Sequence, residues 1–179
     1  MYIILSQKID CEPTYKDIPF CTYHYPARYR NAIHIGDRFV YSQGNRYDKS
    51  QRYYFGAGIV GAILQEDSEN YYAALLDCYR FSNKIPIVMS NGEYIEQLGY
   101  ESKRTAPPWQ SAIRTISPEA YDYMIHHAGE LHRVPNEPIS ALEKHMKDAI
   151  KDYFVGADKS AVIRVAAMSA ALAGALKDD

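Results

Sequence analysis

The sequence predicts an α+β fold, in which a small, mostly antiparallel β-barrel with flanking helices is followed by a C-terminal helical extension. Several short apolar segments are separated by turn residues, a pattern typical of small barrels. One of these segments, beginning at Tyr53, has glycine at every second or third position, which indicates bulges or a close backbone approach. A serine–proline pair at Ser117 then opens a strong helical pattern.

The predicted strands lie mainly in the first half of the chain. A loop with two prolines follows the first strand, and a helix is predicted to begin at Pro26, whose fixed φ suits a first helical turn. This helix carries Ile33 on its apolar side and ends near Gly36. In the strand after it, Phe39 and Tyr41 share one face by alternation. Five segments have strand character: 2–7, 38–41, 53–64, 71–79 and 85–88.

Helical patterns dominate after the predicted barrel. Ser117 and Pro118 supply the cap and the first turn of a helix that Gly129 can end. We therefore expect the barrel domain to cover residues 1–129, with a proline-containing linker at 130–139.

The segment 140–179 is predicted to be a helical extension. It opens with a capping box, in which Ser140 is followed three residues later by Glu143. Residues 158–179 are alanine-rich and apolar on nearly every face, so a helix there needs a partner surface. We expect that surface to belong to the barrel, to a neighbouring domain or to a second copy in a homo-oligomer.

The composition is that of a globular protein without a membrane anchor. The chain has 179 residues, of which 47% are hydrophobic and 23% charged, with a formal net charge of −2. No apolar run reaches the ~20 residues that cross a bilayer, and the first residues lack the basic region of a secretion signal. The three cysteines lack metal-ligand spacing. We expect a cytoplasmic protein with reduced thiols and no membrane contact.

Positive charge is concentrated in one stretch. Six cationic and two acidic residues lie between His24 and Gly56, which gives that stretch a net charge of +4. A cationic face on a nearly neutral protein suits a local phosphate contact, although an ordinary solvated face has the same composition. The side chains that we assign to contacts with a nucleic-acid backbone are Arg28, Arg30, Arg46 and Arg52.

No catalytic pattern is recognisable in the sequence. Neither a glycine-rich phosphate loop nor a nucleophile elbow is present. His126, His127 and His132 lie near a predicted helix end without a cysteine pair or an HExxH pattern, and histidines there commonly complement the helix dipole. We therefore expect no metal, no cofactor and no catalytic residues in this chain.

Aromatic and cationic side chains are combined in residues 21–46, which contain four tyrosines and four arginines. Tyr23, His24 and Tyr25 precede the predicted helix, whose free N-terminal amides suit a phosphate. Their rings suit the face of an extruded base, because stacking contributes ~1–3 kcal/mol per base. The alternative is that these three side chains are core residues, and the sequence leaves both interpretations open.

Trp109 is a second candidate for a base-binding wall. It is the only tryptophan, and Pro107 and Pro108 stiffen its loop and fix the direction of the ring. An indole presented in this way suits a pocket wall, while packing onto the barrel is equally compatible with the sequence.

Four segments occur in a characteristic order after the opening strand and loop: “YPARYRNAIHIGDRFVYSQG”, “YYFGAGIVGAI”, “YYAALLDCYRF” and “PPWQSAIRTISPEAYDYMI”. This order resembles the EVE-type branch of the PUA-like superfamily. In particular it is similar to the modified-base reader domains at the N-termini of HNH modification-dependent (type IV) restriction endonucleases. The resemblance covers about residues 1–129. It departs from the family after the first strand, where Tyr15 and Phe20 replace the usual tryptophan-bearing loop.

The resemblance implies a PUA-like barrel that flips a modified cytosine, 5-methylcytosine or 5-hydroxymethylcytosine, into an aromatic pocket. The implied partner is double-stranded DNA carrying that base. A nuclease domain or subunit would supply the cleavage, because no HNH signature follows in this chain. An RNA reader of the YTH or PUA type, a protein-interaction module and a small hydrolase remain alternatives. The side chains that the resemblance places around the pocket are Tyr23, His24, Tyr25, Tyr41 and Trp109.

Overall fold

A computed structural model describes residues 1–7, 17–44, 48, 51–101 and 106–134, together with isolated helical positions at 147, 151, 165, 166 and 169. Within these residues the fold is mixed α/β. The elements in chain order are β1 (Tyr2–Gln7), β2 (Thr22–Pro26), β3 (Arg38–Gln43), β4 (Tyr53–Gln65), β5 (Asn70–Pro86), β6 (Ile113–Ile116), α1 (Pro118–His127) and β7 (Leu131–Arg133).

The strands are hydrogen-bonded in the order β2-β5-β4-β3-β1-β6, and β7 pairs with β5. β1 and β3 are parallel, with Tyr2 opposite Arg38 and Gln7 opposite Gln43. β1 with β6 and β2 with β5 are antiparallel. The parallel pair differs from a purely antiparallel barrel, because β2 and its flanking loops form a crossover long enough to return the chain in the same direction. The mixed sheet is otherwise compatible with the predicted small barrel.

The chain divides into two compact units. The first unit comprises Met1–Glu12, Asp37–Ala57 and Tyr79–His132. The second unit comprises Pro13–Gly36, Gly58–Cys78 and Arg133–Asp179.

The core of the first unit forms between α1 and one face of its strands. Ile4 on β1 and Val40 on β3 are register partners on the same face of the sheet, and both are fully buried. Met124 brings the apolar side of α1 onto the same cluster and is also fully buried. The other buried members of this cluster are Tyr54, Ala57, Phe81, Ile85, Ile87, Ile95, Ile116, Ala120 and Ala128.

The signals for α1 in the sequence are confirmed. Ser117 is the N-cap, and its side chain accepts a hydrogen bond from the backbone N–H of Ala120 at 3.0 Å. Pro118 is the first helical residue, and Gly129 follows the helix with φ +72°, a left-handed conformation that favours glycine. The bounds predicted for the first strand, 2–7, are confirmed as well.

The ladder between β2 and β5 organises the second unit. Thr22 lies opposite Ala74 and Tyr25 lies opposite Tyr71. The small side chains of Ala73 and Ala74 are buried and leave room for the aromatic side chains of the neighbouring strand. Cys21 and Cys78 are free thiols inside this unit, and burial raises the pKa of both.

The helix predicted from Pro26 to Gly36 is wrong. Pro26 is extended, with φ −74° and ψ 153°, and only a 3₁₀ turn, Ala27–Tyr29, follows it. No residue of that turn is buried, and Ile33 alone in the following segment is nearly inaccessible, at 1% exposure. An apolar stripe is therefore absent from this segment, and helix propensity alone does not hold a short helix together.

β5 also differs from prediction, because it continues from Asn70 to Pro86, through the gap between the predicted strands 71–79 and 85–88 and into the first two residues of the second one. Its central residues 82–84 are exposed and polar, which is typical of a loop. Their backbone is nevertheless paired, since the N–H of Ser82 donates to Glu130 and that of Asn83 donates to Ala128, both at 3.0 Å. Hydrogen bonds to the chain after α1 thus continue the strand without apolar side chains.

The predicted linker, 130–139, begins with β7, whereas its later residues lie outside the described part of the chain. Most of the predicted extension, 140–179, is also outside it, and so is the proposed contact through 158–179. Among the described residues, no helix is long and apolar enough to cross a bilayer.

Replacing Met124 by alanine should lower the free energy of unfolding by about 2–5 kcal/mol, because it leaves a cavity between α1 and the sheet. Urea unfolding followed by circular dichroism measures the change. Asp122→Ala, on the exposed side of the same helix, is the matched control and should change stability by less than about 0.5 kcal/mol. Equal effects of the two substitutions would contradict the packing described for α1.

Candidate nucleic-acid interface

The last residues of β1 and β3 are polar although they are largely enclosed. After the apolar segment Ile3–Leu5, the pairs across the parallel strands are Ser6 with Ser42 and Gln7 with Gln43. Gln43 is 3% exposed, and its amide nitrogen donates to the carbonyl of Gly44 at 3.2 Å. Its amide oxygen, Oε1, is buried and has no hydrogen-bond partner among the described residues. A buried acceptor of this kind is uncommon and calls for an explanation.

The loop that carries Trp109 is rigid, as the prolines predict. The backbone N–H of Trp109 donates to Pro107 at 2.8 Å, and that of Ser111 donates to Pro108 at 2.9 Å. The indole is half-buried, packs against the core of the first unit and contacts Tyr94 edge-on, with ring centres 5.6 Å apart. Its Nε1 is buried and has no hydrogen-bond partner within the described ranges. The first unit therefore contains an unsatisfied donor as well as an unsatisfied acceptor.

Two guanidinium groups lie against the Trp109 ring. The central carbon of Arg52 is 5.1 Å from the ring centre, and that of Arg114 is 5.5 Å from it. Such cation–π contacts are worth ~0.5–2 kcal/mol each, more where water is excluded. The structure thus brings together Trp109 and Arg52, which the sequence assigned separately to the base pocket and to the phosphate contacts.

Arg114 is held by a buried hydrogen-bond network. Its Nε donates to Glu96 Oε2 at 2.8 Å, and one terminal nitrogen donates to Glu96 Oε1 at 2.6 Å. The other terminal nitrogen donates to the hydroxyl of Ser6 at 2.6 Å and to the carbonyl of Ser111 at 2.8 Å. Tyr54 donates its hydroxyl to Glu96 Oε1 at 3.0 Å, and burial followed by the Glu96 charge raises the pKa of that hydroxyl. The guanidinium is therefore fixed in position beside Trp109.

Sequence reasoning missed the Glu96–Arg114 pair. Glu96 belongs to no recognisable motif, and Arg114 lies in a segment with the character of an ordinary strand. One signal is nevertheless present in the sequence, since Arg114 lies between Ile113 and Ile116 in a short apolar segment. The structure places it opposite Ile4 and buries it. A cation at such a position needs a buried acid as its partner.

A cavity of about 480 Å³ opens next to this network. Its size is within the range of ligand pockets in proteins. Apolar surface comes from the prolines of the Trp109 loop and from Tyr100, which is 43% exposed. Polar groups come from Gln97, Ser111, Thr115 and the Glu96–Arg114 pair.

The predicted pocket residues Tyr23, His24 and Tyr25 lie on β2 in the second unit and are buried, at 3%, 8% and 1% exposure. Their rings pack against β5. His24 stacks on Tyr72 with ring centres 4.3 Å apart, and Tyr25 stacks on Tyr71 at 5.7 Å. The contact between Tyr23 and Tyr25, at 6.3 Å, brings two of the predicted residues together.

The hydroxyl of Tyr25 is buried without a hydrogen-bond partner in the described part of the chain. Burial, and secondly the neighbouring Tyr71, raise the pKa of this hydroxyl, so that it stays protonated. His24 Nε2 lies 2.9 Å from Glu66 Oε2 in a pair that is shielded from solvent.

Tyr41 is the remaining predicted pocket residue and lies in the first unit with Trp109. It is fully buried, and its ring stacks on Phe55 at 5.2 Å with an interplanar angle of 3°. One face of the Tyr41 ring is therefore occupied by the protein.

The arginines predicted to contact a nucleic-acid backbone have different surroundings. Arg28 and Arg30 are exposed on the 3₁₀ turn of the second unit, where Arg28 covers Tyr29 at 4.9 Å. Arg52 is half-buried against Trp109, and Arg46 lies outside the described residues. The predicted phosphate site at a helix N-terminus is wrong, because a three-residue 3₁₀ turn has no aligned set of free amides.

Within the described ranges, no three histidine, cysteine, aspartate or glutamate side chains are grouped closely enough to hold a metal ion. His127, one of the histidines at the end of α1, instead contacts the carbonyl of Tyr123 at 2.8 Å.

A scan against models of known protein families gives no match to this sequence, and a search of curated proteins gives no significant match either.

Asp17 is an acidic residue next to β2. Its carboxylate accepts a hydrogen bond from the backbone N–H of His24. Burial raises the pKa of this carboxyl from 3.8 to about 7, although the hydrogen bond acts in the opposite direction. Because the folded state keeps its proton between about pH 4 and 7 while the unfolded state loses it, this residue makes stability fall as pH rises through that window.

Asp17→Asn removes that titration and keeps a neutral acceptor for the N–H of His24. We expect the variant to be more stable than the wild type by about 2 kcal/mol at pH 7.5 and equally stable at pH 4. Urea unfolding at both pH values measures the difference. Asp67→Asn is the control, because hydrogen bonds from Glu69 and Asn70 lower the pKa of Asp67 and its loss should not stabilise the fold. A uniform effect of Asp17→Asn across pH would contradict a titration governed by burial at Asp17.

Proposed function

We propose that this chain recognises a modified cytosine, 5-methylcytosine or 5-hydroxymethylcytosine, in double-stranded DNA by taking the flipped base into a pocket beside Trp109. The proposal rests on the surroundings of the Trp109 indole. Trp109 is fixed on a proline-stiffened loop, lies against two guanidinium groups and has a buried N–H without a partner in the described residues. In the proposed complex, the planar base lies beside the indole and one of its edges accepts the hydrogen bond of the indole N–H.

Stacking and edge hydrogen bonds must together offset the cost of extrusion. Base flipping costs a few kcal/mol, and stacking on an aromatic ring returns ~1–3 kcal/mol per base. The Watson–Crick edge of cytosine offers an amine donor and a carbonyl acceptor. Gln43 Oε1 and Trp109 Nε1 are a matching buried acceptor and donor of the same unit. Pairing with the base removes the penalty of about 1–3 kcal/mol that each unsatisfied group imposes.

The rest of the proposed complex follows from exposure and charge. Arg28 and Arg30 are solvent-exposed and contact phosphates, which gives affinity without sequence information. Cleavage belongs to a nuclease domain or subunit outside this chain. Cytoplasmic location suits a reader that serves a restriction system.

The fluorescence of Trp109 can be used to measure binding, because Trp109 is the only tryptophan of the chain. Its fluorescence should change when the protein is titrated with a duplex that contains one modified cytosine. It should change much less with the same duplex carrying plain cytosine. Single-stranded RNA with the same modification is the third arm, and preference for it would favour the RNA-reader alternative. A signal that is identical for all three nucleic acids, or absent at low salt, would refute the proposal.

Trp109→Ala should abolish the preference for modified over plain duplex, because it removes the stacking face and the indole donor. We expect a loss of about 10-fold or more in affinity for the modified duplex, measured by fluorescence anisotropy of labelled DNA. The matched control is Tyr123→Ala, which removes a half-buried ring from α1 and should leave the preference intact.

Tyr25→Phe tests the rival location in the second unit, since it deletes only the unpartnered hydroxyl and keeps the ring. A loss of preference in Tyr25→Phe, together with normal preference in Trp109→Ala, would move the pocket to β2 and contradict a pocket beside Trp109.

Arg28→Gln and Arg30→Gln should weaken binding to modified and plain duplexes by the same factor. Each loses one phosphate contact, so the slope of log affinity against log salt should decrease by about 1. Binding measured at several salt concentrations gives the slope. Arg80→Gln, an exposed cation of β5, is the control and should leave the slope unchanged. A selective effect on the modified duplex would show that these arginines do not contact phosphates alone.

A further inference from the structure

We propose that Arg52 exchanges between two partners: it covers the Trp109 ring in the free protein, and it contacts a DNA phosphate once a base has taken its place on the ring. This inference rests on the proposed function, since it requires a base that stacks on Trp109. The residues that carry it, Arg52, Trp109 and Arg114, all belong to the first unit.

The indole of Trp109 is already in contact with other groups in the free protein. It packs against the core of the first unit, and Tyr94 contacts it edge-on with ring centres 5.6 Å apart. The guanidinium carbons of Arg52 and Arg114 lie over the ring, 5.1 Å and 5.5 Å from its centre. Because the core and the two cations share the ring between them, a base that stacks on Trp109 has to displace one guanidinium group.

The two arginines differ in how firmly they are held. Arg114 is 5% exposed, and four hydrogen bonds to Glu96, Ser6 and Ser111 fix its guanidinium. Its withdrawal would leave the buried Glu96 carboxylate without its cation, which is strongly unfavourable. Arg52 is only half-buried and directly precedes β4, so its long side chain can turn towards water while the sheet stays intact. Arg52 is therefore the group that leaves the ring.

The relative strength of the two ring contacts gives the exchange its direction. A cation over an aromatic ring at a partly exposed site is held more weakly than a base stacked on the same ring. A base that reaches Trp109 therefore replaces the guanidinium. Without DNA, the guanidinium of Arg52 keeps the ring covered.

A phosphate is the partner that the displaced guanidinium meets next. Only the sugar separates a base from the phosphate of the same nucleotide, so a cation that yields its place to the base lies close to that phosphate. A guanidinium binds a phosphate through charge-assisted, often paired hydrogen bonds. The exchange thus reconciles the contact of Arg52 with Trp109 and the phosphate contact that the sequence predicts for it.

Arg52→Gln separates the two roles when it is tested on ligands with and without phosphate. The first ligand is the modified nucleoside alone, 5-methyl- or 5-hydroxymethyl-2′-deoxycytidine, and the second is a duplex that contains the same base. We expect the variant to bind the nucleoside about 3- to 10-fold more tightly than the wild type, because the competing cation is gone. The ratio of duplex affinity to nucleoside affinity should fall by about 10-fold, because a phosphate contact is lost. Isothermal titration calorimetry measures both affinities.

Two further measurements test the two partners one at a time. For the duplex, the slope of log affinity against log salt should decrease by about 1 in Arg52→Gln and stay at the wild-type value in Arg52→Lys, which keeps the charge. In the protein without DNA, acrylamide should quench Trp109 fluorescence more strongly in Arg52→Gln than in the wild type, because the ring is uncovered.

Lys84→Gln is the matched control. It removes a cation that lies 4.5 Å from the centre of another ring of the first unit, that of Tyr53. This variant should bind the nucleoside like the wild type and show the same acrylamide quenching. An effect equal to that of Arg52→Gln would mean that loss of any cation–ring contact in the unit has these consequences, which would contradict a specific role of Arg52.

Three further results would overturn the exchange. Weaker binding of the nucleoside by Arg52→Gln would show that Arg52 helps to hold the base, and unchanged binding would show that it does not compete with the base. An unchanged salt slope would exclude the phosphate contact. In each case a wild type that prefers the modified to the plain duplex leaves the proposed function standing. Failure of the wild-type protein to bind the modified duplex at low salt would overturn the exchange and the proposed function together.

Discussion

The buried ion pair between Glu96 and Arg114 is the constraint on which the first unit depends. Both side chains are almost inaccessible, at 6% and 5% exposure, and burying two charges costs several kcal/mol unless their hydrogen bonds are complete. Tyr54, Ser6 and the carbonyl of Ser111 complete them. The pair therefore joins β1, β4, β6, the 3₁₀ turn Ile95–Gln97 and the loop of the only tryptophan, and removal of either charge would leave the other buried and unpaired.

Because the hydrogen bonds of this ion pair are complete, buried polar groups of the same unit that lack a partner are informative. A unit that satisfies an arginine through four hydrogen bonds also leaves the Trp109 N–H and the Gln43 Oε1 without partners in the described residues. Each exception costs about 1–3 kcal/mol. The proposed nucleobase ligand has both a donor and an acceptor on its edge, and these are the partners that the two groups lack.

The correct predictions, helix α1 and the bounds of β1, depend on residues that act within their own segment of the chain. Ser117, Pro118 and Gly129 act through their own backbone and fixed helix α1, and the apolar run of β1 gave its bounds. The features that were predicted wrongly or missed depend on tertiary contacts. The segment after Pro26 had helical spacing but only one well-buried apolar residue, so it formed a 3₁₀ turn. The contact of Arg52 with Trp109 joins residues far apart in sequence, and no local pattern encodes it.

The chemistry of the proposed site also limits how strongly it distinguishes two bases. One additional methyl group in an apolar pocket is worth only about 1–3 kcal/mol, and the cavity next to the Glu96–Arg114 pair has polar groups such as Gln97 and Thr115 in its wall. A site built in this way gains little from a methyl group alone. It gains more from a hydroxymethyl group, because an added hydroxyl can take up hydrogen bonds that the wall offers. If the proposed function holds, this composition predicts that 5-hydroxymethylcytosine binds more tightly than 5-methylcytosine.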